Sequence, residues 1–533
     1  MRNEVTQNGR KAVAISSQHS ITLAMGWPKG ETHDLIGFAV KKHNPDATVV
    51  WLEGLLTFEG QPHQTGAQVP TNEGPVQKMF WADYLVRAAS KYTYEIIPVY
   101  GTPGALELRT ANAVKIPIET EDNVGKQNAP YFNRAVIASQ AYIRNFGLER
   151  PEDDPDALSW LARGLDKAIL GFIGRAETDK SLYLDIAAYH LTHPDIIAAI
   201  KKIGPRARVA LCWKKPDDKK QNGPASRELK KAGVKVFHRE QVRAISHDKF
   251  VVVKNAAGQP QAVLMGSANF TLGGVSLQNN VSHVIESPAL AQKYRDTFEL
   301  IIDEDNDALY DQDADWQGVG DIEVNFSPHR KDRVDLDRFV EIVEGAKSCV
   351  FFATFRATDA ELLKAIIQPK NKNVVVRGLV DKVYEQGDGE VLLYHNANQR
   401  DPQVAPATNS LGKSDPLAKE LKRVGFSPLV HHKFVLVDYG QPECAVITGS
   451  ANYSNNSSNN NDENTIIVHR DQRVAQMYLG EFHRIYEHYR ARWFLSRAGA
   501  KAPKDLYLKE DGSWAKKYYD GSESERFLRV LLG

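Results

Sequence analysis

The pattern of apolar and polar positions changes near residue 125. Before that point, short apolar runs alternate with Gly, Pro, Asn and Asp, and no helical period extends through them; the runs are residues 20–27, 35–42, 48–54, 92–100 and 114–119. Tyr92, Tyr94 and Ile96 alternate with polar residues, so they share one face of a strand. Short strands separated by turn residues predict a small all-β sandwich over residues 1–125.

From residue 130 onward, apolar runs alternate with amphipathic stretches. The pattern predicts strands at residues 182–189, 207–213, 234–238, 250–253 and 262–266, and helices at 193–203, 226–233 and 476–495. Alternating strands and helices indicate an α/β architecture with a parallel or mixed sheet. The basic stretch 213–227 is typical of a solvated loop, with a site entrance as the alternative, and the tail 500–533 is predicted to be irregular.

The order of these segments repeats once along the chain. Four segments recur in the same order: 181–200 parallels 348–366, 207–215 parallels 374–382, 227–254 parallels 417–438, and 262–271 parallels 445–454. The spacing is too long for a solenoid, so the repeat indicates duplication of a whole domain. We therefore predict two halves, residues 130–320 and 321–533, after the N-terminal sandwich.

The composition excludes some classes of protein and makes others less expected. The chain has 533 residues, of which 42% are hydrophobic and 25% charged, which excludes wholesale disorder. Lys and Arg number 67, as do Asp and Glu, so no overall attraction to a polyanion is expected, although a local basic groove stays open. Cys212, Cys349 and Cys444 lie far apart in apolar surroundings, which favours buried free thiols over disulfides or a zinc site.

The N-terminal residues contain no apolar segment of the kind found in signal peptides, and no run of 18 apolar residues occurs. We therefore expect a protein without a transmembrane segment that resides in the cytoplasm by default. Secretion without a signal peptide remains an alternative.

Each repeat carries the same set of polar residues. An HxK triplet begins one strand and a GSAN segment ends the next; the polar members are His247, Lys249, Ser267 and Asn269 in the first half and His431, Lys433, Ser450 and Asn452 in the second. Residues two apart on a strand share a face, so each histidine is expected beside its lysine. An ammonium ion and an imidazole that titrates near neutral pH suit an anionic substrate.

These motifs resemble those of the phospholipase D superfamily, whose mark is HxKxxxxD followed by GSxxN, present twice in its single-chain members. The resemblance covers residues 130–500 and implies duplicated α-β-α sandwich domains with a phosphodiester-cleaving site at their junction. One histidine would attack phosphorus to give a phosphohistidine, and the other would protonate the leaving oxygen. The two lysines and two asparagines would bind phosphoryl oxygens, and no metal or other cofactor is implied. Residues 1–125 resemble a fibronectin type III domain, chiefly through the segments 92–96 and 98–104.

Two positions depart from the superfamily pattern. Asp438 completes the second HxKxxxxD motif, whereas the matching residue of the first is Lys254. Fourteen residues after each motif glycine, where the superfamily usually places a carboxylate that orients a histidine, the second half has Glu463 and the first has Asn280. If that carboxylate acts across the halves, Glu463 supports His247 as the nucleophile, which we favour. If it acts within one half, His431 is better supported.

The substrate class stays open at this level. A phospholipid at a membrane surface is favoured, a nucleic acid cleaved by a metal-independent endonuclease is the alternative, and a catalytically degenerate binding protein is the third. The segment 385–416 is expected to overhang the site, where loops often select substrate. His190, His193, His283 and His432 are predicted to be structural, and the pattern gives no oligomeric state.

Overall fold

The computed structural model describes residues 1–61, 67–135, 140–147, 149–311, 316–330, 333–381, 404–406, 429–497 and 507–533. The predicted segment 385–416 lies outside the described residues except for 404–406. Among the described residues, no helix is both long and apolar enough to cross a membrane.

The N-terminal region consists of antiparallel strands: β1 (Arg2–Gln7), β2 (Arg10–Ser16), β3 (Ile21–Gly26), β4 (Gly37–His43), β5 (Val49–Trp51), β6 (Glu53–Gly54), β7 (Val69–Pro70), β8 (Phe80–Asp83), β9 (Lys91–Thr102), β10 (Ala105–Leu108) and β11 (Val114–Glu119). One sheet has the order β1-β2-β3-β8 and the other β10-β9-β4-β5, with β11 also paired to β9. Tyr92, Tyr94 and Ile96 all point into the shared core. The prediction of a β-rich region is confirmed, while its likeness to fibronectin type III stays a prediction.

The first half is built on the strands β12 (Asn128–Phe132), β13 (Leu182–Ala188), β14 (Ala207–Cys212), β15 (Lys235–Arg239), β16 (Lys249–Asn255), β17 (Pro260–Gly266), β18 (Gln278–Asn279) and β19 (Val281–Ile285). Its helices are α1 (Gln140–Phe146), α2 (Pro155–Ala162), α3 (Leu165–Thr178), α4 (Pro194–Ile203), α5 (Pro216–Lys231), α6 (Pro288–Asp303) and α7 (Asn306–Asp311). The main sheet has the order β12-β19-β17-β16-β13-β14-β15.

The second half has the strands β20 (Gln317–Val319), β21 (Ile322–Ser327), β22 (Cys349–Thr354), β23 (Val375–Val380), β24 (Val404–Pro406), β25 (Leu429–Val430), β26 (Lys433–Val437), β27 (Ala445–Gly449) and β28 (Glu463–His469). Its helices are α8 (Val334–Glu344), α9 (Ala360–Ile367), α10 (Asn455–Asn460), α11 (Gln472–Arg497) and α12 (Glu523–Leu532). The sheet order β20-β21-β28-β27-β26-β22-β23-β24 repeats that of the first half after one extra edge strand. The predicted duplication and the mixed α/β class are therefore confirmed.

Each main sheet has helices on both faces. Apolar residues of α3, α4 and α5 cover one face of the first sheet, and those of α8 and α9 cover one face of the second. The other face of each main sheet packs against α6, α11 and the N-terminal strands in one continuous apolar core. This common core fixes the two halves against each other, which a site at their junction requires.

Two sequence predictions about helices are wrong. Residues 216–231 form a helix, although the polar stretch 213–227 predicts a loop. The reason is that Asp218 and Asn222, one helical turn apart, are buried and bonded: Asn222 Oδ1 accepts from the Leu191 N–H at 2.9 Å, and Asp218 Oδ2 accepts from the Lys215 N–H at 2.9 Å. The tail is also partly helical, because Phe527, Leu528 and Leu531 form the buried face of α12.

Candidate active site

The two halves exchange backbone hydrogen bonds beside both motif histidines. The His247 N–H donates to the Asp462 carbonyl at 2.9 Å, and the His431 N–H donates to the Asn279 carbonyl at 3.1 Å. The second of these contacts continues the parallel pairing of β18 with β25. Each histidine is therefore positioned by backbone from the opposite half.

The His247 imidazole is oriented by a carboxylate of the second half. Nδ1 lies 2.7 Å from Glu463 Oε2. The other carboxylate oxygen, Oε1, accepts from Ser457 Oγ at 2.6 Å and from Asn461 Nδ2 at 3.0 Å. A carboxylate acceptor places the proton on Nδ1 and leaves the Nε2 lone pair free. Burial lowers the pKa of His247 to about 4, although Glu463 opposes this shift, so the imidazole is neutral at pH 7.

An amide orients His431 in the corresponding way. Its Nδ1 lies 2.9 Å from Asn280 Oδ1. The amide orientation is fixed because Asn280 Nδ2 donates to the Gly274 carbonyl at 2.9 Å, while Ser267 Oγ donates to Oδ1 at 2.8 Å. His431 is thus held with its proton on Nδ1 and its Nε2 unprotonated. Burial and the nearby Lys433 and Lys249 ammonium groups lower the pKa of His431 well below its usual value.

The motif lysines are buried beside their histidines. Lys433 Nζ donates to the His431 carbonyl at 2.7 Å, and Lys249 Nζ donates to the His247 carbonyl. Burial lowers the pKa of Lys249 to about 8, although Glu463 and Asp248 oppose the shift. Burial and the Lys249 charge lower the pKa of Lys433. Each motif lysine therefore contacts the backbone of its own histidine, and the charges of both lysines act on the His431 imidazole.

The GSAN segments hold the strand ends that carry the orienting residues. A Cβ at Gly266 would lie 2.2 Å from the Val281 carbonyl oxygen, and one at Gly449 would lie 2.2 Å from that of Asn464, so both positions require glycine. Ser450 Oγ accepts from the Asn464 N–H at 3.0 Å, next to Glu463. Ser267 and Ser450 therefore bond to the neighbouring strand, and their contacts are those of positioning residues.

The motif asparagines are better placed to meet a ligand. Asn269 Oδ1 and Asn452 Oδ1 are both buried, and neither has a hydrogen-bond partner among the residues that the structure describes. Neither side chain is fully buried as a whole. Because the two amides hold equivalent positions in the two halves, the Nδ2 group of each is placed to donate to an anionic ligand.

Asp438 does not belong to this cluster. It follows the last residue of β26, about 16 Å along the strand from Lys433 at about 3.3 Å per residue. Its carboxylate accepts from the Ser348 N–H at 2.7 Å and from the Lys347 N–H at 2.9 Å, which fixes the start of β22. The inclusion of Asp438 among the catalytic candidates is therefore corrected to a structural role.

Lys254 holds the position in the first motif that Asp438 holds in the second, and it makes a different interaction. Its Nζ donates to Asp185 Oδ2 at 2.6 Å, and Arg208 Nε donates to Asp185 Oδ1 at 2.6 Å. The first half is therefore braced at this position by a buried ion pair, so the reversed charge does not leave the strand unsupported.

Two aromatic residues at the site were not singled out from the sequence. Tyr189 directly follows β13, with its ring 4.9 Å from that of His247, and Phe355 directly follows β22, with its ring 5.1 Å from that of His431. Lys249 Nζ and Lys433 Nζ lie 5.6 and 5.3 Å from the centres of these two rings. Their common position, one residue after the equivalent strand of each repeat, could have identified them from the sequence.

His432 and His283 have partners outside the catalytic pair, although His432 Nδ1 has none among the described residues. His432 Nε2 lies 3.2 Å from Glu481 Oε1, and the two nitrogens of His283 lie 2.7 Å from Asn128 Oδ1 and from the Tyr478 hydroxyl. Among the residues that the structure describes, no group of three or more His, Cys, Asp or Glu has the arrangement of a metal site.

Comparisons with known proteins match the duplicated part of the chain. A sequence profile of the family described as "Cardiolipin synthase, PLD-like domain" matches residues 170–302 and 339–486, more than half of the chain, and each segment contains one HxK and one GSAN motif. No curated protein sequence matches.

Solved structures with similarity to this chain include three bacterial proteins. Phosphatidylserine synthase from Haemophilus influenzae Rd KW20 is 13% identical, with a TM-score of 0.42 over 61% of this chain and 85% of that chain. The phospholipase D family member Nuc from Salmonella typhimurium is 21% identical, with a TM-score of 0.22 over 32% and 93%. Polyphosphate kinase from Porphyromonas gingivalis is 13% identical, with a TM-score of 0.40 over 56% and 42%.

Proposed function

The chain belongs to the phospholipase D-like family described as "Cardiolipin synthase, PLD-like domain", and we propose that it is a phosphodiesterase that cleaves phospholipids through a phosphohistidine on His247. The observation that carries this proposal is the pair of buried imidazoles, His247 and His431. Each is held with Nε2 unprotonated by a residue of the opposite half.

In the first step, Nε2 of His247 attacks the phosphorus atom of the diester. A P–N bond forms, the P–O bond to the leaving alcohol breaks, and His431 donates a proton from Nε2 to that alcohol oxygen. The orientation of His247 by Glu463 supports this assignment, because a carboxylate stabilises the positive charge that develops on an attacking imidazole.

Substrate binding permits His431 to take up from water the proton that it then donates to the leaving oxygen. In the free protein, burial and the charges of Lys433 and Lys249 disfavour a positive charge on His431. A bound diester brings one negative charge next to both ammonium groups. That charge raises the pKa of His431 and so permits it to act as the general acid.

In the second step, His431 accepts a proton from water and the water oxygen attacks phosphorus. The P–N bond breaks, which releases phosphatidic acid and restores neutral His247. An alcohol in place of water would give phosphatidyl transfer by the same route. Lys249, Lys433 and the side-chain NH2 groups of Asn269 and Asn452 would donate to the phosphoryl oxygens and stabilise the charge that develops there.

The distribution of exposed apolar side chains supports a lipid surface as the place of action. Every large apolar residue that is exposed among the described residues lies in the N-terminal region: Met1, Val49, Val50, Leu55, Leu56, Leu85 and Val124. Val49 and Val50 lie on β5, an edge strand. Leu85 is adjacent, since its carbonyl accepts from Lys42 Nζ at 3.0 Å and Lys42 pairs with Val50. Exposed apolar groups on an edge suit contact with a bilayer.

The test is a paired assay of the purified protein in excess EDTA. One arm contains phosphatidylcholine or phosphatidylglycerol vesicles, the other single- and double-stranded DNA, and His431→Asn serves as the control in both. We expect release of the headgroup alcohol from vesicles and its loss in the variant. DNA cleavage that depends equally on His431, without lipid cleavage, would replace the lipid proposal by a nuclease. Silence in both arms would refute the phosphodiesterase proposal for these substrates.

A further inference from the structure

A second group of cationic side chains lies close to His431, where the N-terminal region, the end of α2 and α11 meet. It consists of Arg134, Arg163 and Arg484 around one carboxylate, Glu481. Arg484 donates to Glu481 through Nε at 2.9 Å and Nη2 at 2.6 Å, and Arg163 Nη2 donates to it at 3.3 Å. His432 also lies 3.2 Å from this carboxylate.

The carboxylate does not satisfy the three guanidinium groups. Arg134 stacks over the Trp160 ring at 3.9 Å, and its buried Nε has no hydrogen-bond partner within the described part of the chain. The Nε of Arg163 is likewise unpartnered, although the Arg163 side chain is only 6% exposed. Buried donors without an acceptor are rare in folded proteins, because each loses its hydration without compensation.

The cluster also carries an excess of positive charge. Three guanidinium groups face one carboxylate, so the formal charge is +2. Burial lowers the pKa of Arg134 to about 10, with Arg484 adding to the shift. Burial, Arg163 and Arg134 lower the pKa of His19 to about 3, so His19 adds no charge. A cavity of about 10 Å³ lies between His19, Arg163, Glu481 and Arg484, so a phosphate group would enter only if these side chains moved apart.

We propose that Arg134, Arg163 and Arg484 form a second anion site that takes a phosphate group. A guanidinium presents paired N–H donors that match phosphate oxygens, and an anion would supply both the missing acceptors and the missing negative charge. Free phosphate and the second phosphate of a larger substrate share this chemistry.

The proposed site is connected to the catalytic pair through Asn133. The Asn133 carbonyl accepts from Arg163 Nη2 at 2.9 Å and from Arg484 Nη2 at 3.3 Å. Its side-chain oxygen accepts from the Asn280 N–H at 2.9 Å, and Asn280 orients His431. Two residues, Asn133 and Asn280, would therefore link an anion bound at the arginines to the His431 imidazole.

Equilibrium dialysis of the full chain against radiolabelled inorganic phosphate tests this site without requiring turnover, so its outcome is independent of the proposed reaction. We expect two phosphates per wild-type chain, one per chain of Arg134→Gln, and one for Lys433→Gln, which weakens the catalytic site. Arg109→Gln is the matched control, since its guanidinium also stacks on a ring, that of Tyr100 at 3.7 Å, away from the cluster. Two phosphates bound to Arg134→Gln, or only one to wild type, would overturn the proposal.

A second arm with glycerol bisphosphate distinguishes the two sources of the anion. One molecule per wild-type chain, bound at least tenfold more tightly than phosphate and losing that gain in Arg134→Gln, assigns the site to the second phosphate of a substrate. Two molecules per chain without the gain assign it to a separate phosphate ion. If Arg134→Gln binds glycerol bisphosphate as the wild type does, this arm also contradicts the proposed site.

Discussion

Replacement of Glu463 by glutamine probes the orientation of the nucleophile most selectively. Glutamine keeps the shape of the side chain and removes only its charge. At this position two donors, Ser457 Oγ at 2.6 Å and Asn461 Nδ2 at 3.0 Å, point at Oε1. The amide oxygen of the variant would face those donors, and its NH₂ group would face His247. Two donors would then meet, unless His247 moved its proton from Nδ1 to Nε2.

The expected loss follows from that change of tautomer. Loss of a hydrogen bond to a charged acceptor costs about 1.5–3 kcal/mol, or roughly 10- to 150-fold in rate. A nucleophile whose Nε2 carries the proton cannot attack, and in a comparable Asp-to-Asn change in a serine protease the wrong tautomer lowers kcat about 10⁴-fold. We therefore expect kcat of Glu463→Gln to fall about 10³- to 10⁴-fold, with little change in KM.

Turnover of a chromogenic phosphodiester, measured together with the melting temperature, checks this expectation. Glu299→Gln is the matched control, because Glu299 pairs with Arg208 at 2.7 Å outside the site. A folded Glu463→Gln protein that retains kcat within tenfold of wild type would refute the orientation of His247 by Glu463.

Three further outcomes are expected. Because the pKa of Lys249 is lowered to about 8, its ammonium charge is lost above that pH, so kcat/KM should fall above about pH 8. Lys249→Arg should abolish this loss of charge and leave only that of Lys433, whose pKa is also lowered; a flat profile in wild type would contradict the expectation. Lys254→Asp should place a second carboxylate beside Asp185 and destabilise the fold by roughly 3–5 kcal/mol in denaturant unfolding, whereas an unchanged midpoint would refute the ion pair. Burial raises the pKa of Asp248 to about 8 from a usual value near 3.8, so the free energy of unfolding of the wild type should decrease as the pH rises from about 4 to about 8. Asp248→Asn should lack this decrease, and parallel stability curves for the two proteins would contradict the raised pKa.

Much of the site was predictable because the duplication displays it twice. The recurrence of HxK and GSAN in both repeats distinguishes these residues from isolated polar residues on strands, and period-two alternation explains why each histidine lies beside its lysine. Tyr189 and Phe355 each follow the equivalent strand of their repeat, and this common position could have identified them from the sequence. The spacing of the HxK and GSAN motifs does not include them.

The pairing across the two halves could not be derived from local pattern. Glu463 lies beside His247 because the two halves pair in parallel at Ser246 and Asp462, which is a tertiary arrangement. Helix α5 was missed for a similar reason: Asp218 and Asn222 are polar residues that face inward, and only their buried partners explain why they are there. A polar sequence predicts exposure unless those partners are known.

The central claim is that His247 forms the covalent bond to phosphorus. The direct measurement is rapid quenching with a ³²P-labelled diester at alkaline pH, followed by mass-spectrometric mapping of the acid-labile adduct. The account predicts label on the peptide that contains His247, greater accumulation in His431→Asn, and none in His247→Asn. Label on His431, or continued turnover by His247→Asn, would contradict it.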